Sequence, residues 1–385
     1  MIINLNSLSR NFLIFLIIIY FSQGFLYPIG TLVSKIVLFS ILFISFVYLI
    51  KSLLYNSEKY IFYYIWLALL VLNCIGYIFG GNYGGAYFSQ FKNILLAMLP
   101  FFPFYYFANK GDLSEKNLLF LFLTLLPVFI FNFIFNNNSL IEARNDFSEN
   151  TVNNIAYFFV SLIPYVFLWK NKKIFSIFSM MILFYFIIQG SKRGALIAGL
   201  LSLIVYIYYQ LSIIDPKRRV QGLIVSIVGI SLFSVFIYNS YINNEFLIAR
   251  LDNLDQGGSG RDVIYSNLWE NWSESNSILN YLFGFGFVST ILYSGTGNFA
   301  HNDWLEILTN FGFLGFSIYL SLFLSIIYYL LFVKSDRFSK IILSSILLIW
   351  LFKSLFSMFY TAGSTVVLVV LIAYVFGIYK KDKLI

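Results

Sequence analysis

The stretch LEILTNFGFLGFSIYLSLFLSIIYYLLF, residues 305–332, contains one charged side chain, Glu306. A helix needs about 20 apolar residues to cross roughly 30 Å of hydrocarbon, so this run reads as a membrane span. Working outward, further apolar runs lie near 11–29, 31–50, 60–80, 90–108, 117–136, 152–169, 174–190, 195–213, 220–239, 341–359 and 362–379. Together they make about twelve spans, hence an all-α polytopic membrane protein. Composition agrees. The chain is 60% hydrophobic, 21% aromatic and 11% charged, whereas soluble domains carry about 25% charged residues. Its mean hydropathy is +0.83. The 46 Phe and 29 Tyr suit lipid contact and interfacial anchoring. No basic stripe or nucleic-acid motif stands out, which argues against a nucleic-acid partner.

Lysine and arginine placement orients the spans. With the N-terminus in the cytoplasm, 17 of the 25 basic residues fall on the cytoplasmic side. The outer side receives Lys92, Arg144, Lys192, Arg193, Arg250 and Arg261, while Lys35 and Lys353 fall within spans. Both termini are then cytoplasmic, and the formal charge of +8 is mainly a topogenic signal. Cys74 is alone, so it forms no intramolecular disulfide. No cleavage pattern follows the first apolar run, which reads as a retained anchor. We read residues 1–385 as one membrane domain with a large extracytoplasmic loop over 241–303 that carries short helices. A connection of that length is usually functional.

The long polar stretches outside the spans gather on the outer face. Gly190-Ser191-Lys192-Arg193-Gly194 is a short outer turn holding two basic residues, on the side where basic residues are disfavoured. Such a turn either snorkels to headgroups or binds an anion. The planar donor fork of arginine suits phosphate. Gly257-Gly258-Ser259-Gly260-Arg261-Asp262 places a second arginine at the start of an expected helix. Two guanidinium groups on one face suit a diphosphate.

His301 is the chain's single histidine, within Gly297-Asn298-Phe299-Ala300-His301-Asn302-Asp303-Trp304-Leu305-Glu306. An imidazole at the outer interface suits removing a proton from a hydroxyl near neutral pH. Asp303 and Glu306 are near it in sequence, and a carboxylate there would orient or charge-stabilise the ring. With no His or Cys cluster, no zinc or copper site is expected, and no cofactor. Asp252 and Asp255 are spaced to hold a divalent cation but read more simply as solvated loop residues. No Walker A sequence is present, which argues against ATP-driven transport. Cytoplasmic loops are too short for a nucleotide-sugar domain, so a sugar donor must be presented at the membrane. Charges such as Lys35 and Lys353 face a bundle interior or water, or snorkel.

The order of these motifs resembles the O-antigen ligase and polymerase superfamily. The resemblance rests on Ser191-Lys192-Arg193, Gly260-Arg261, Gly284-Phe285-Gly286, and His301-Asn302-Asp303-Trp304-Leu305 followed by Gly312 and Gly315. The outer segment 144–154, opened by Arg144 and closed by Asn154, also looks like that family's Arg-to-Asn stretch. Motifs cover roughly 140–320. One departure is Lys192, since the family often has Ser-Arg directly; the resemblance leaves open which of Lys192 and Arg193 faces phosphate, and we favour Arg193.

The resemblance implies a fold of the membrane-embedded glycosyltransferase C type and an inverting, metal-independent transfer. The donor would be an oligosaccharide on undecaprenyl diphosphate at the outer face of the bacterial cytoplasmic membrane. Arg193 and Arg261 would hold the diphosphate and His301 would be the base. Lys192, Arg144, Asn154, Asp303 and Glu306 would bind substrate. The leading expectation is a repeat-unit polymerase for a surface polysaccharide such as O-antigen, capsule or exopolysaccharide. It would work beside a flippase and a chain-length regulator. The alternative is a ligase delivering glycan to lipid A core, in lipopolysaccharide assembly. A lipid-linked oligosaccharide flippase is the reading from another class. It would need charged groups lining a cavity across the membrane, whereas here the spans are nearly free of charge.

Overall fold

The computed structural model describes residues 5–55, 58–80, 84–136, 155–170, 172–213, 215, 217, 219–242 and 261–379. Among them every element is helical. In lipid a helix satisfies its own backbone hydrogen bonds, which is why long apolar runs fold this way. The first half comprises α1 (Leu5–Phe21), α2 (Leu32–Leu54), α3 (Ile61–Phe79), α4 (Gly85–Met98), α5 (Phe101–Asn109) and α6 (Glu115–Phe135). Then come α7 (Ile155–Leu162), continued by the 3-10 turn Ile163–Trp169, α8 (Lys173–Gln189), α9 (Arg193–Ser212) and α10 (Arg219–Ile242). Three short helices follow, α11 (Arg261–Ser273), α12 (Ile278–Phe283) and α13 (Thr290–Tyr293). The chain closes with α14 (Asp303–Phe332), α15 (Arg337–Phe356) and α16 (Thr365–Gly377).

Among the described residues, seven helical stretches are long and apolar enough to cross a membrane. One of them is α4 and α5 together, interrupted at Pro100, which lacks the N–H a continuous helix would use. Shorter apolar helices, including α1, α8 and α16, pack among them. The chain is therefore a polytopic α-helical membrane protein. At its centre α16 is buried along its whole length. Its 13 residues rise only about 20 Å, short of the roughly 30 Å of hydrocarbon. Gly377 lets α16 approach α5, since a Cβ there would lie 2.6 Å from the Ala108 Cβ. Aromatic rings fill the surrounding core: Trp350 stacks on Phe359 at 4.4 Å, and Phe62 on Phe376 at 4.6 Å.

The apolar run 305–332, read above as one span, is in fact two helical arms folded against each other. Trp304 packs its ring on Phe316, Tyr319 and Phe323 at 5.0–5.7 Å. The Tyr319 hydroxyl donates to Asp303 Oδ2 at 2.6 Å. Along a straight helix those two residues would stand about 24 Å apart. The turn is Gly312, with φ 59° and ψ −155°, a region of backbone space essentially reserved for glycine. The second arm lies antiparallel to α3: the Tyr60 hydroxyl donates to the Ser325 carbonyl at 2.7 Å, and Gly76 abuts Phe311. The first arm, 303–311, returns into the bundle beside it.

Turning a helix leaves its last carbonyls without intrahelical donors. The Gly284-Phe285-Gly286 segment supplies them. Phe285 N–H donates to the Thr309 carbonyl at 2.8 Å and Gly286 N–H to that of Asn310 at 3.1 Å. A Cβ on Gly284 would lie 2.4 Å from Phe311 N, and one on Gly312 would lie 2.5 Å from the Tyr281 carbonyl. The two glycines thus let two backbones touch.

Candidate functional site

Each flank of the site is held by a different element. The turn before α9 packs on α7 through two glycines: a Cβ on Gly190 would lie 2.7 Å from the Ala156 Cβ, and one on Gly194 2.4 Å from the Tyr157 hydroxyl. Ser191 takes φ 50°, which swings the chain round so that Lys192 and Arg193 open α9. The Lys192 amine sits over the Tyr157 ring at 5.7 Å.

Arg261 begins α11 and its Nη1 donates to the Phe356 carbonyl, at the end of α15, at 2.9 Å. That bond satisfies an orphan helix carbonyl and fixes the guanidinium. α11 is pinned by Ile264 and Leu268 against Ala300 and by Trp272 on Phe313 and Tyr281. The Asn267 amide donates to the Ser294 carbonyl at 2.9 Å, and Gly295 leaves room for it.

His301 stands immediately before the cap of α14, at φ 51°. The Asn302 side chain caps that helix by accepting from Trp304 N–H and Leu305 N–H, the usual work of an asparagine there. The His301 ring is half-buried. Burial first, then the positive charges of Arg261 and Lys192, push its pKa down from 6.5 to about 4. His301 is therefore neutral at pH 7, with a lone pair free to take a proton. Arg193 and Arg261 lie within electrostatic reach of one another. Lys192, Arg193, Arg261 and His301, four residues singled out from sequence, thus converge. Lys192 acts on the imidazole and Arg193 lies within reach of Arg261, so both basic residues of the turn are coupled to the cluster.

Asp303 and Glu306 behave differently from the sequence expectation. Both are fully buried, and their carboxylates are engaged in holding the hairpin. Asp303 accepts from the Tyr319 hydroxyl and from Phe359 N–H at 2.9 Å. Glu306 accepts from the Thr290 hydroxyl at 2.6 Å, Ala300 N–H at 3.0 Å and the Asn310 amide at 3.2 Å. Neither is placed to orient the imidazole or to meet a substrate. They fasten the histidine segment from beneath, because a buried carboxylate must have its lone pairs filled. Arg144, Asn154, Asp252 and Asp255 lie outside the described residues.

Two groups join the site that sequence reading did not assign. Lys353 does not snorkel. It is 2% exposed, donates to the Ser364 hydroxyl at 2.6 Å and the Thr365 hydroxyl at 3.3 Å, and sits near the rings of Tyr157 and Phe359 at 5.5 and 5.6 Å. Its signal was visible as a charge within an apolar run. Tyr157 carried no signal, being one tyrosine among 29. Among the described residues no group of three His, Cys, Asp or Glu side chains is arranged to hold a metal ion.

No protein-family model matches the chain, and no curated protein matches it. The fold and site define its class: a polytopic helical membrane protein with a cationic cluster around one neutral histidine.

Proposed function

We propose that this chain is a membrane glycosyltransferase that takes a saccharide from undecaprenyl diphosphate, acting as a repeat-unit polymerase of a bacterial surface polysaccharide. The observation that carries the reading is that Lys192 and Arg261 act on the one histidine and Arg193 lies within electrostatic reach of Arg261, with both nearby carboxyl groups hydrogen-bonded elsewhere. A diphosphate brings the negative charge such a cluster lacks. The acceptor hydroxyl oxygen attacks the anomeric carbon. The bond from that carbon to the phosphate oxygen breaks, and its electron pair leaves on the diphosphate. The hydroxyl proton passes to the neutral His301 ring. Cations fixed where charge develops lower the barrier without reorganising, and the base removes the proton as the new bond forms. No metal is needed for that sequence. The site then lies at the outer face of the cytoplasmic membrane, with both termini inside.

The test is the surface-glycan profile of a deletion strain complemented with wild type or with His301→Ala. Loss of the long ladder, leaving core with a single repeat, is the expected outcome for both the deletion and the variant. Loss of all core-attached glycan, with polymer retained on the lipid carrier, would replace the polymerase by a ligase. Single units trapped on the cytoplasmic face would replace both by a flippase. Full complementation by His301→Ala would remove the base from the proposal.

A further inference from the structure

Two buried polar atoms at this site have no hydrogen-bond partner among the described residues: Arg193 Nη1 and the Tyr157 hydroxyl. Buried polar groups are nearly always paired, so two orphans on touching segments ask for a common cause. They do touch. Gly194, which follows Arg193, would carry a Cβ 2.4 Å from the Tyr157 oxygen. Ser357 is close enough to act on the phenol as a polar neighbour, but the pair does not reach hydrogen-bond geometry. Both orphans lie within electrostatic reach of Arg261.

The chemistry narrows the partner. A guanidinium N–H only donates, and a phenol donates to any strong acceptor. Two donors beside a second guanidinium call for an acceptor-only, anionic oxygen. No carboxylate of the described residues is hydrogen-bonded to either atom, and Asp303 and Glu306 are engaged elsewhere. The phenol is also well held. Lys192 and Lys353 both lie near its ring, at 5.7 and 5.5 Å, which holds the ring in place through cation–π contacts.

We propose that Tyr157 is a ligand-contacting residue whose hydroxyl donates to the phosphoryl oxygen held by Arg193. This assignment rests on the diphosphate reading above. Tyr157 therefore joins the arginines in binding the leaving group, and Gly194 is required because a side chain there would displace the phenol.

Binding of radiolabelled undecaprenyl diphosphate to the purified full chain in detergent tests this, with phosphatidylglycerol as a second probe. Tyr157→Phe keeps the ring and its packing and deletes only the hydroxyl. It should weaken diphosphate binding about 10- to 100-fold, the range for one hydrogen bond to a charged acceptor. Gly194→Ala, which moves the phenol without deleting it, should weaken binding as well. Arg193→Ala reports on the underlying reading. If Arg193→Ala loses binding while Tyr157→Phe and Gly194→Ala bind as wild type, the role of Tyr157 is overturned and the diphosphate site stands. If wild type does not bind, or Arg193→Ala binds unchanged, the diphosphate reading itself fails. Equal affinity for phosphatidylglycerol, lost in the same variants, would mark a general lipid-phosphate pocket and overturn both.

Discussion

The acidic limb of the pH–rate profile discriminates sharply, because the environment of His301 moves its titration by a large interval. Burial and the charges of Arg261 and Lys192 bring its pKa from 6.5 to about 4. At pH 5 a histidine titrating at about 4 is roughly 90% neutral, whereas one titrating at about 6.5 is roughly 3% neutral. Transfer by a neutral base should thus fall by only about one tenth between pH 7.5 and pH 5, against about 30-fold for an unperturbed ring. The assay is kcat/KM with subsaturating labelled donor and purified protein in detergent, since that quantity reports the free enzyme. Lys192→Met removes one of the two lowering charges and should shift the limb upward. A bound diphosphate brings negative charge beside the ring, so the limb of kcat should lie above that of kcat/KM. Thermal stability must be followed at each pH. The unfolded histidine binds its proton at about 6.5 and the folded one only at about 4, so stability is full above 6.5 and falls as pH drops through that window. A wild-type limb near pH 6.5 that Lys192→Met leaves in place would refute the argument.

Two further variants probe the scaffold. Gly312→Ala should cost about 1–3 kcal/mol for forcing a side chain into glycine-only backbone space, with a further ~1–3 kcal/mol for prising apart the backbone at Gly284. Gly297→Ala is the control, because Gly297 also has positive φ but nothing within 4 Å of its would-be Cβ, and strain alone costs about 1–2 kcal/mol. Equal losses of stability in detergent at both positions would contradict the hairpin. Glu306→Gln turns one acceptor oxygen into a donor facing Ala300 N–H or the Thr290 hydroxyl, and should destabilise by about 1–3 kcal/mol while leaving diphosphate affinity intact. Weakened affinity with an unchanged melting point would instead restore Glu306 as a substrate contact.

Much of the fold was legible because lipid imposes one local rule. Long apolar runs become helices, and every run read from sequence contains one. The failure at 305–332 is instructive. Hydropathy cannot distinguish one long span from a short arm turned back on a longer one, since both are apolar throughout. The signal for the turn was present as Gly312 but pointed to a motif, because its partner, Gly284, stands 28 residues upstream. The electrostatic coupling of Lys192 and Arg261 to His301, and of Arg193 to Arg261, joins residues that their types alone had singled out. The fate of Asp303 and Glu306 was not legible. Proximity in sequence placed them beside the imidazole, whereas helical geometry turns positions 303 and 306 to the buried face, towards Tyr319, Phe359, Thr290 and Asn310. Tyr157 was invisible because its role depends on a contact with Gly194, 37 residues away.

The inward turn of the two carboxylates has an electrostatic consequence. Opposite unit charges about 4 Å apart attract by about 4 kcal/mol at an effective dielectric constant near 20. A carboxylate beside Arg193 or Arg261 would therefore quench much of the field offered to an anion. The hairpin prevents this. By folding back at Gly312, the first arm of α14 delivers Asp303 to Tyr319 and to the backbone of the 357–364 segment, and Glu306 to the strap around Thr290 and Ala300. Lys353 is drawn to the same level, where hydroxyl groups and not a carboxylate receive its protons. The two carboxyl groups stay hydrogen-bonded and buried, and the basic groups of the site gather around a neutral histidine. The same two-glycine contact that lets the helix reverse thus keeps the site cationic, the property that the proposed departure of a diphosphate would require.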